Sequence, residues 1–241
     1  MVERGLADLH IHTDHSDGWP EARELVRFVR DRTMLDVIAV TDHDTVEGAL
    51  RASEYARSLK RGPEVIVGEE VSTREGHVVG LWLTRRVPPG LTAAATLELI
   101  HEQGGIAFAA HPFWRTDRHG RGGTVHGLGW PAADLAFDAV EVENSTPGFY
   151  LFNQMARRLN DAMGCAELGN SDAHILDAVG RAYTTFPGRD GSDLRRAVAA
   201  GTTTAHRERY RAIGLVRYMA WGLNHQRMGA VGTAGQGSAR S

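Results

Sequence analysis

Short apolar runs alternate with longer amphipathic stretches along most of the chain, and this pattern predicts strands that alternate with helices. The apolar runs are rich in Val, Ile and Ala, and they predict strands over residues 6–11, 35–40, 65–67, 77–83, 106–110, 139–142, 166–169 and 182–186. Apolar residues at helical spacing predict helices over residues 20–32, 46–60, 92–103, 149–163, 192–200 and 209–223. Thr92 is the predicted N-cap of the third helix. Residues 113–131 are Gly-rich and aperiodic, so they predict a long loop.

This alternation of strands and helices predicts an α/β fold with a mainly parallel sheet. About seven such units in one domain favour closure into a distorted (β/α)7 barrel over an open, doubly wound sheet. We expect this barrel over residues 1–206 and a C-terminal helix packed on it within residues 207–228. The Gly/Ala/Ser-rich residues 229–241 predict a disordered tail.

Candidate ligands for metal ions stand at the ends of the predicted strands. His10 and His12 are two residues apart at the end of the first strand, and alternate residues of a strand share a face. An isolated His-x-His is also found on ordinary surface strands, but here His, Asp or Glu recurs at one strand end after another. The full set is His10, His12, Asp17, His43, Glu70, His77, His111, Asp172 and His174. His77 begins its strand, so it joins the same rim if that strand runs antiparallel to its neighbours.

The mixture of imidazoles and carboxylates in this set suits borderline divalent ions such as Zn, Mn and Fe. A catalytic ion takes three or four protein ligands, so nine candidates imply two or three ions. Two ions about 3.5–4 Å apart can assist an in-line displacement at phosphorus. Clustered cations would also make the pocket positive, which favours an anionic substrate such as a phosphate ester.

Composition narrows the possible settings. A formal net charge of −3 over 241 residues gives no electrostatic case for a general nucleic-acid binder, so nucleic acid stays possible but is not indicated. Cys165 is the only cysteine, which excludes an intrachain disulfide and fits a cytoplasmic location. We expect no signal peptide before the first strand and no membrane segment. The oligomeric state stays open.

The ordered motifs of the chain resemble those of the PHP (polymerase and histidinol phosphatase) family. The resemblance rests on His10-Ile11-His12, Thr41-Asp42-His43, Gly68-Glu69-Glu70-Val71-Ser72, Ala110-His111-Pro112 and Ser171-Asp172-Ala173-His174. It implies a distorted seven-stranded β/α barrel with a metal site at the C-terminal rim. It also implies hydrolysis of a phosphate ester, monoester or diester, by a metal-bridging hydroxide at a trinuclear site.

The resemblance also implies how the ligands divide among the ions. The first ion would be held by His10, His12, Glu70 and Asp172. Glu70 would bridge to a second ion, completed by His77 and His111. The third would be held by Asp17, His43 and His174. The family's Gly-x-Glu-aliphatic-Ser pattern selects Glu70 over Glu69, and strand alternation agrees that only one of them points inward.

Other residues are candidates for supporting roles. Asp42 or Asp44 could orient His43, and Asp42 is the candidate catalytic carboxylate. Arg181 and Arg115 are candidate phosphate contacts, because a guanidinium binds phosphate in a bidentate manner. Glu141 and Asn144 would brace the pocket. His15 is interpreted as a neighbour of the site, and the remaining histidines as surface or loop residues: His101, His119, His126, His206 and His225.

Several alternatives stay open at this stage. The segment between Leu83 and His111 has room for one crossover helix, so the cap domain inserted there in some nucleotide-acting relatives is absent and no substrate can be borrowed from them. Amidohydrolases also begin with His-x-His, but their bridging modified lysine has no counterpart, since the only lysine is Lys60 at a helix end. A noncatalytic regulatory PHP module would be expected to have lost ligands, whereas all nine positions are filled. A nuclease is a narrower rival among phosphoesterases.

Overall fold

The computed structural model describes residues 3–114, 126–210 and 212–234, with side chains as far as residue 224. The strands are β1 (Arg4–Asp8), β2 (Val37–Val40), β3 (Glu64–Ser72), β4 (His77–Leu81), β5 (Ile106–Ala109), β6 (Ala139–Asn144), β7 (Ala166–Asn170), β8 (Ala182–Pro187) and β9 (Thr204–Arg207). The α-helices are α1 (Ala22–Arg32), α2 (Glu47–Ser58), α3 (Ala93–Glu102), α4 (Tyr150–Met163), α5 (Gly191–Ala199) and α6 (Ala212–Ala234). Two short 3-10 helices lie at Trp130–Asp134 and Leu176–Ala178.

The strands form one nearly closed, barrel-like sheet in the order β7-β6-β5-β4-β3-β2-β1-β8-β9. The predicted α/β barrel is therefore confirmed, with two irregularities. β4 runs antiparallel to both β3 and β5, whereas the other neighbours among β1 to β7 are parallel. β8 and β9 add an antiparallel pair beside β1. The sequence pattern predicts β8 but not the short, half-buried β9.

The seam of the barrel is closed at the rim by the segments that follow β1 and β7. Ile11 and Ala173 form a parallel bridge, and the amide of His12 donates to the carbonyl of Ala173 at 2.8 Å. Lower in the seam, the amide of Leu9 donates to Oδ1 of Asn170 at 3.1 Å. The segments that follow β1 and β7 therefore meet where the candidate ligands lie.

The interior of the barrel is filled by apolar side chains from β1 to β8. Phe108 and Phe186 are the bulkiest of them, and Leu194 and Val198 of α5 pack into the same cluster. Two further clusters lie outside the sheet, one beneath α1 and α2 and one beneath α3 and α4. The filled interior leaves the rim as the place where polar groups converge.

The C-terminal helix is longer than the sequence pattern predicts. α6 continues to Ala234, so the first residues of the predicted tail are helical, while residues 235–241 lie outside the described part. Its first turns rest on the 3-10 helix Leu176–Ala178, where the missing side chain of Gly214 allows close approach to Asp177. Among the described helices, none combines the length and hydropathy needed to cross a membrane.

The N-cap of α3 provides a direct test of local stability. Oγ1 of Thr92 accepts a hydrogen bond from the amide of Ala95 at 3.2 Å, as the sequence predicts. Thr92→Ala should lower the free energy of unfolding by about 1 kcal/mol, because it leaves a helix-end amide without this acceptor. Urea denaturation measures the loss, and Thr92→Ser should recover most of it. Equal stability of the Ala and Ser variants would contradict the cap assignment.

Candidate metal centre

The carboxylate of Glu70 lies at the centre of a buried cluster of histidines at the rim. Its Oε2 is 3.1 Å from Nε2 of His10, 3.2 Å from Nε2 of His12 and 3.3 Å from Nδ1 of His43. Its Oε1 is 2.7 Å from Nδ1 of His77 and 2.9 Å from Nε2 of His111. Five imidazoles thus converge on one side chain that is 1% exposed.

Hydrogen bonds alone do not account for this crowding. A carboxylate oxygen offers about two lone-pair directions, yet three imidazole nitrogens surround Oε2 of Glu70. Both ring nitrogens of His12 and Nδ1 of His111 are buried without a hydrogen-bond partner. Tetrahedral metal ligands bonded at about 2.1 Å lie about 3.4 Å apart, close to the nitrogen–oxygen spacings found here. The donor set therefore fits divalent ions placed between these side chains.

Two further carboxylates extend the cluster. Oδ1 of Asp172 is 3.3 Å from Nε2 of His12 and 3.6 Å from Nε2 of His10. Oδ1 of Asp17 is 3.2 Å from Nε2 of His174, and its Oδ2 is 3.8 Å from Nε2 of His43. All nine candidate ligands thus come together, in four overlapping groups able to hold an ion: His12/Asp17/His43/His174, His10/His12/Glu70, His10/His111/Asp172 and His43/Glu70/His77.

The direction of β3 and β4 explains how two of these ligands reach the cluster. Glu70 shares a face of β3 with Ile66, which packs inside the barrel. Glu69 points the other way, and its Oε2 accepts from the amide of Val87 at 2.7 Å. Because β4 is antiparallel, its first residue, His77, pairs with Ser72 at the rim.

Two of the candidate ligands have an unusual backbone conformation. His111 has φ 26° and Asp172 has φ 53°, in the left-handed region that non-glycine residues seldom adopt. Each follows the end of a buried strand, β5 or β7. Such conformations persist where the surrounding contacts enforce them, and they concentrate at functional sites.

Comparison with known proteins agrees with this geometry. The model of the PHP domain matches residues 8–116, and that of a PHP-associated region matches residues 151–203. The first match contains the ligands from His10 to His111, and the second contains Asp172 and His174. An uncharacterized protein of Methanocaldococcus jannaschii is 35% identical over 150 residues, which cover 58% of this chain and 81% of that protein. The chain belongs to the PHP family.

Solved structures with PHP-type folds are similar to this chain. A two-domain protein from Bacteroides vulgatus containing a predicted PHP-like metal-dependent phosphoesterase has a TM-score of 0.68 and 21% identity, covering 86% of this chain and 66% of that one. Endonuclease Q of Pyrococcus furiosus, a lesion-specific endonuclease, has a TM-score of 0.54 and 17% identity, covering 84% of this chain and 58% of its own. Endonuclease Q bound to a 27-mer duplex with an abasic lesion has a TM-score of 0.55 and 17% identity, and the similarity covers 82% of this chain and 57% of that one. At these identities the likeness shows the fold.

The electrostatics of the PHP site follow from burial and from its carboxylates. Burial lowers the pKa of His12, but the close carboxylates of Asp172 and Glu70, together with the charge of Asp17, outweigh it and raise the pKa to about 10. The pKa of His10 is also raised, because nearby carboxylate charges, above all that of Glu70, outweigh the lowering effect of burial. Burial would raise the pKa of Glu70, yet the surrounding histidines hold it well below its usual value. His43 differs, since burial dominates and lowers its pKa to about 4.

Glu141 braces the PHP site by accepting four hydrogen bonds. Its Oε1 accepts from Nδ1 of His10 and Nδ2 of Asn170, both at 3.0 Å. Its Oε2 accepts from the amide of His111 at 2.7 Å and from Nδ2 of Asn144 at 3.0 Å. Asn144 also donates to Oδ2 of Asp172 at 3.1 Å. The carboxylate of Glu141 therefore connects three candidate ligands: His10 and His111 directly, and Asp172 through Asn144.

Glu141→Gln should weaken metal affinity by about 10–100-fold, because the new amide group faces donors and cannot accept from them. The orientation of the His10 ring then loses its support. Isothermal titration with Zn²⁺ measures the effect, with Glu167→Gln on β7 as a half-buried Glu control away from the cluster. An unchanged affinity for Glu141→Gln would contradict the bracing role.

Some predicted supporting residues make side-chain contacts other than those expected. Asp42 does not orient His43 through any described contact; its Oδ1 accepts from the amide of Thr13 and its Oδ2 from the Thr13 hydroxyl, both at 2.7 Å. Asp44 accepts from the amide of Ser72 instead. Arg181 donates to the carbonyl of Asp177 at 3.2 Å and to Glu208 at 3.4 Å, so its described contacts are with protein groups outside the cluster. Arg115 and His119 lie outside the described residues, as does most of the predicted loop.

Three residues at the site escape sequence reasoning. His126, interpreted as a loop residue, has its ring 5.0 Å from that of His77, and its carbonyl accepts from the amide of His77. Asn170 closes the seam and binds Glu141. Trp221 of α6 lies with its ring 4.2 Å from the ring of His174. Asn170 directly follows the predicted strand at residues 166–169, which was a usable signal, whereas neither His126 nor Trp221 follows a predicted strand.

Proposed function

We propose that this PHP protein is a metal-dependent hydrolase of phosphate esters. The observation that carries the proposal is the single carboxylate of Glu70, on which five histidine nitrogens converge within 3.3 Å. Each oxygen lies beside a different set of histidines, so Glu70 could contribute to the sites of two ions. Asp17, His43 and His174 form a further group on the more exposed side, where a third ion fits.

Divalent ions held there would supply Lewis acidity toward a phosphoryl oxygen and would lower the pKa of a bound water. The protein's own contribution is to fix the ligands and to exclude bulk water. Glu141 and Asn144 hold His10 and Asp172 in place, and Phe108 closes the floor beneath the ring of His10. His43, with a side chain 28% exposed, and Asp17, at 18%, mark the side from which a substrate enters.

The substrate class we propose is a small phosphorylated molecule, with a nucleotide or a nucleic-acid end as the second candidate. Endonuclease Q, which is similar in fold, binds a DNA duplex with the lesion at its active site. An amidohydrolase reaction is disfavoured because Lys60, the only lysine, is exposed beyond the end of α2, away from the strand ends.

The test is hydrolysis by the purified protein with Mn²⁺, Zn²⁺ or Fe²⁺, assayed on phosphomonoesters, cyclic phosphodiesters and short oligonucleotides. We expect turnover of at least one class that chelation abolishes. His111→Ala should lose it, whereas His101→Ala, which removes a surface histidine paired with Asp138, should retain it. Absence of turnover on every phosphoester with each metal, or equal rates for wild type and His111→Ala, would overturn the proposal.

A further inference from the structure

The C-terminal helix α6 contacts the metal centre at one group of ligands. The indole Nε1 of Trp221 donates to the carbonyl of Asp17 at 2.8 Å. The Trp221 ring also lies against the ring of His174, with centroids 4.2 Å apart and planes inclined by 40°. Asp17 and His174 are themselves 3.2 Å apart, so a single side chain of α6 touches both members of this pair.

The loop that carries Asp17 is tightly folded, so its hydrogen bond with Trp221 of α6 bears directly on the position of Asp17. The amides of Ser16 and Gly18 both donate to the carbonyl of Thr13, at 3.1 and 3.0 Å. A side chain at Gly18 would collide with the backbone of His12. The amide of Trp19 donates to the carbonyl of His174 at 2.8 Å. The loop and the His174 segment are thus joined directly, and Trp221 ties both of them to α6.

A second aromatic residue of α6 reaches toward another ligand. The hydroxyl of Tyr218 donates to Oγ1 of Thr146 at 3.4 Å. The hydroxyl of Thr146 in turn donates to Oδ2 of Asp172, also at 3.4 Å. The Tyr218 ring is 5.3 Å from that of Trp221, so the two rings form one aromatic wall beside the cluster. Burial raises the pKa of the Tyr218 phenol, which therefore stays protonated. The helix is anchored further out by Arg217, which donates to Asp177 at 2.8 Å.

We propose that Trp221 is a positioning residue for the ion bound by Asp17, His43 and His174, and that α6 acts as a cap over this ion. The inference rests on the proposed metal centre and deepens it, because it assigns a separate role to a helix outside the nine ligands. This group is the most exposed of the cluster, since Asp17 and His43 retain solvent contact whereas the other ligands are almost fully buried. An exposed ion exchanges readily unless second contacts hold its ligands.

The consequence is a selective loss when the indole N–H is removed. Trp221→Phe keeps an aromatic ring beside His174 but cannot donate to the carbonyl of Asp17. We expect the weakest class of Mn²⁺ sites to lose about 10–100-fold in affinity, while the tighter classes built around Glu70 keep theirs. Trp221→Ala, which removes the ring as well, should weaken the same class further.

The experiment titrates the metal-free, full-length protein with Mn²⁺ and follows both free Mn²⁺ by electron paramagnetic resonance and tryptophan emission. Paramagnetic Mn²⁺ bound next to Trp221 should quench part of the wild-type emission in step with the weakest sites, and this component should be absent from Trp221→Phe. Trp82→Phe is the matched control, because Trp82 follows β4 at the opposite end of the barrel and contacts Arg195. It should leave both the affinities and the quenched component unchanged.

The outcomes separate this inference from the proposed function. Wild-type protein that binds no Mn²⁺ would overturn both. If the wild type binds Mn²⁺ and Trp221→Phe binds it with the same affinities, the role of Trp221 alone would be overturned. A lower thermal midpoint of that variant would not rescue it, because a lower midpoint by itself indicates only a packing role. Equal weakening of all classes of site would also overturn it, because the candidate ligands that Trp221 is described as contacting are Asp17 and His174.

Discussion

Glu70→Gln should abolish tight binding of at least two metal ions and lower phosphoester hydrolysis by about 10³-fold or more. The amide has one acceptor oxygen in place of two, so it cannot serve the His10/His12/His43 set and the His77/His111 set together. Its NH₂ group would also face imidazole nitrogens at contact distance, and the negative charge that offsets bound cations would be lost. Metal content by mass spectrometry and steady-state kinetics measure the two effects.

The neighbouring Glu69 provides the control for this variant. Glu69 is equally buried and adjacent in sequence, but it lies on the outer face of β3 and accepts from the amide of Val87. Burial raises its pKa to about 7, so a neutral amide is a modest change there. Glu69→Gln should therefore stay within about twofold of wild type in metal content and rate. Similar losses in both variants would indicate damage to β3 and not the removal of a bridging ligand.

Metal affinity should rise steeply with pH, by about tenfold or more for each unit between pH 6 and 8. Imidazoles bind metal only when deprotonated, and in the metal-free protein the pKa of His12 is raised to about 10 and that of His10 well above its usual value. Each ion therefore displaces at least one proton. Titration calorimetry in two buffers of different ionisation enthalpy counts the protons released, and a count of zero would contradict the prediction.

The same pKa shifts determine how the stability of the metal-free protein changes with pH. A histidine whose pKa is raised by folding stabilises the fold fully below its unfolded pKa of about 6.5, and this contribution disappears as the pH rises toward 10. Glu70 and Asp172, whose pKa values folding lowers, contribute above their usual pKa and lose the contribution only in acid. The chelated protein should thus melt at lower temperature at pH 9 than at pH 6, while the metal-loaded protein does not. A flat profile for the chelated protein would argue against these ion pairs.

Most of the fold could be predicted from the sequence because strand, helix and strand end are local signals. The apolar runs at Val37–Val40 and Ile106–Ala109 are flanked by residues that stop a strand, so their positions follow from pattern alone. β9 could not be predicted in this way. Its residues are mostly polar and at most half-buried, and they form a strand because they pair with the free edge of β8.

The candidate ligands could be located because most of them stand at or just beyond the end of a predicted strand, but their hydrogen-bond partners could not. Asp42 resembles an orienting carboxylate in sequence, yet Thr13 and Ser16 lie nearer to it in the fold. Arg181 has the chemistry to contact phosphate, but in the fold it donates to Glu208, which directly follows β9. Trp221 lies 204 residues from Asp17, whose carbonyl it contacts, and a separation of that length leaves no local trace. Side-chain partnership is a property of the packed chain.

The seam where β1 and β7 meet has a consequence for how the protein is made. Ser171, which approaches the carbonyl of His10 across that seam, is 161 residues further along the chain. While the ribosome is still synthesising β7, the rim of the barrel is incomplete. The histidines near the N-terminus of the nascent chain therefore cannot yet form the cluster. Synthesis at about 5–20 residues per second leaves those side chains waiting for on the order of ten seconds or more. Any cation that needs the complete cluster could then bind only after His174 has emerged from the ribosome.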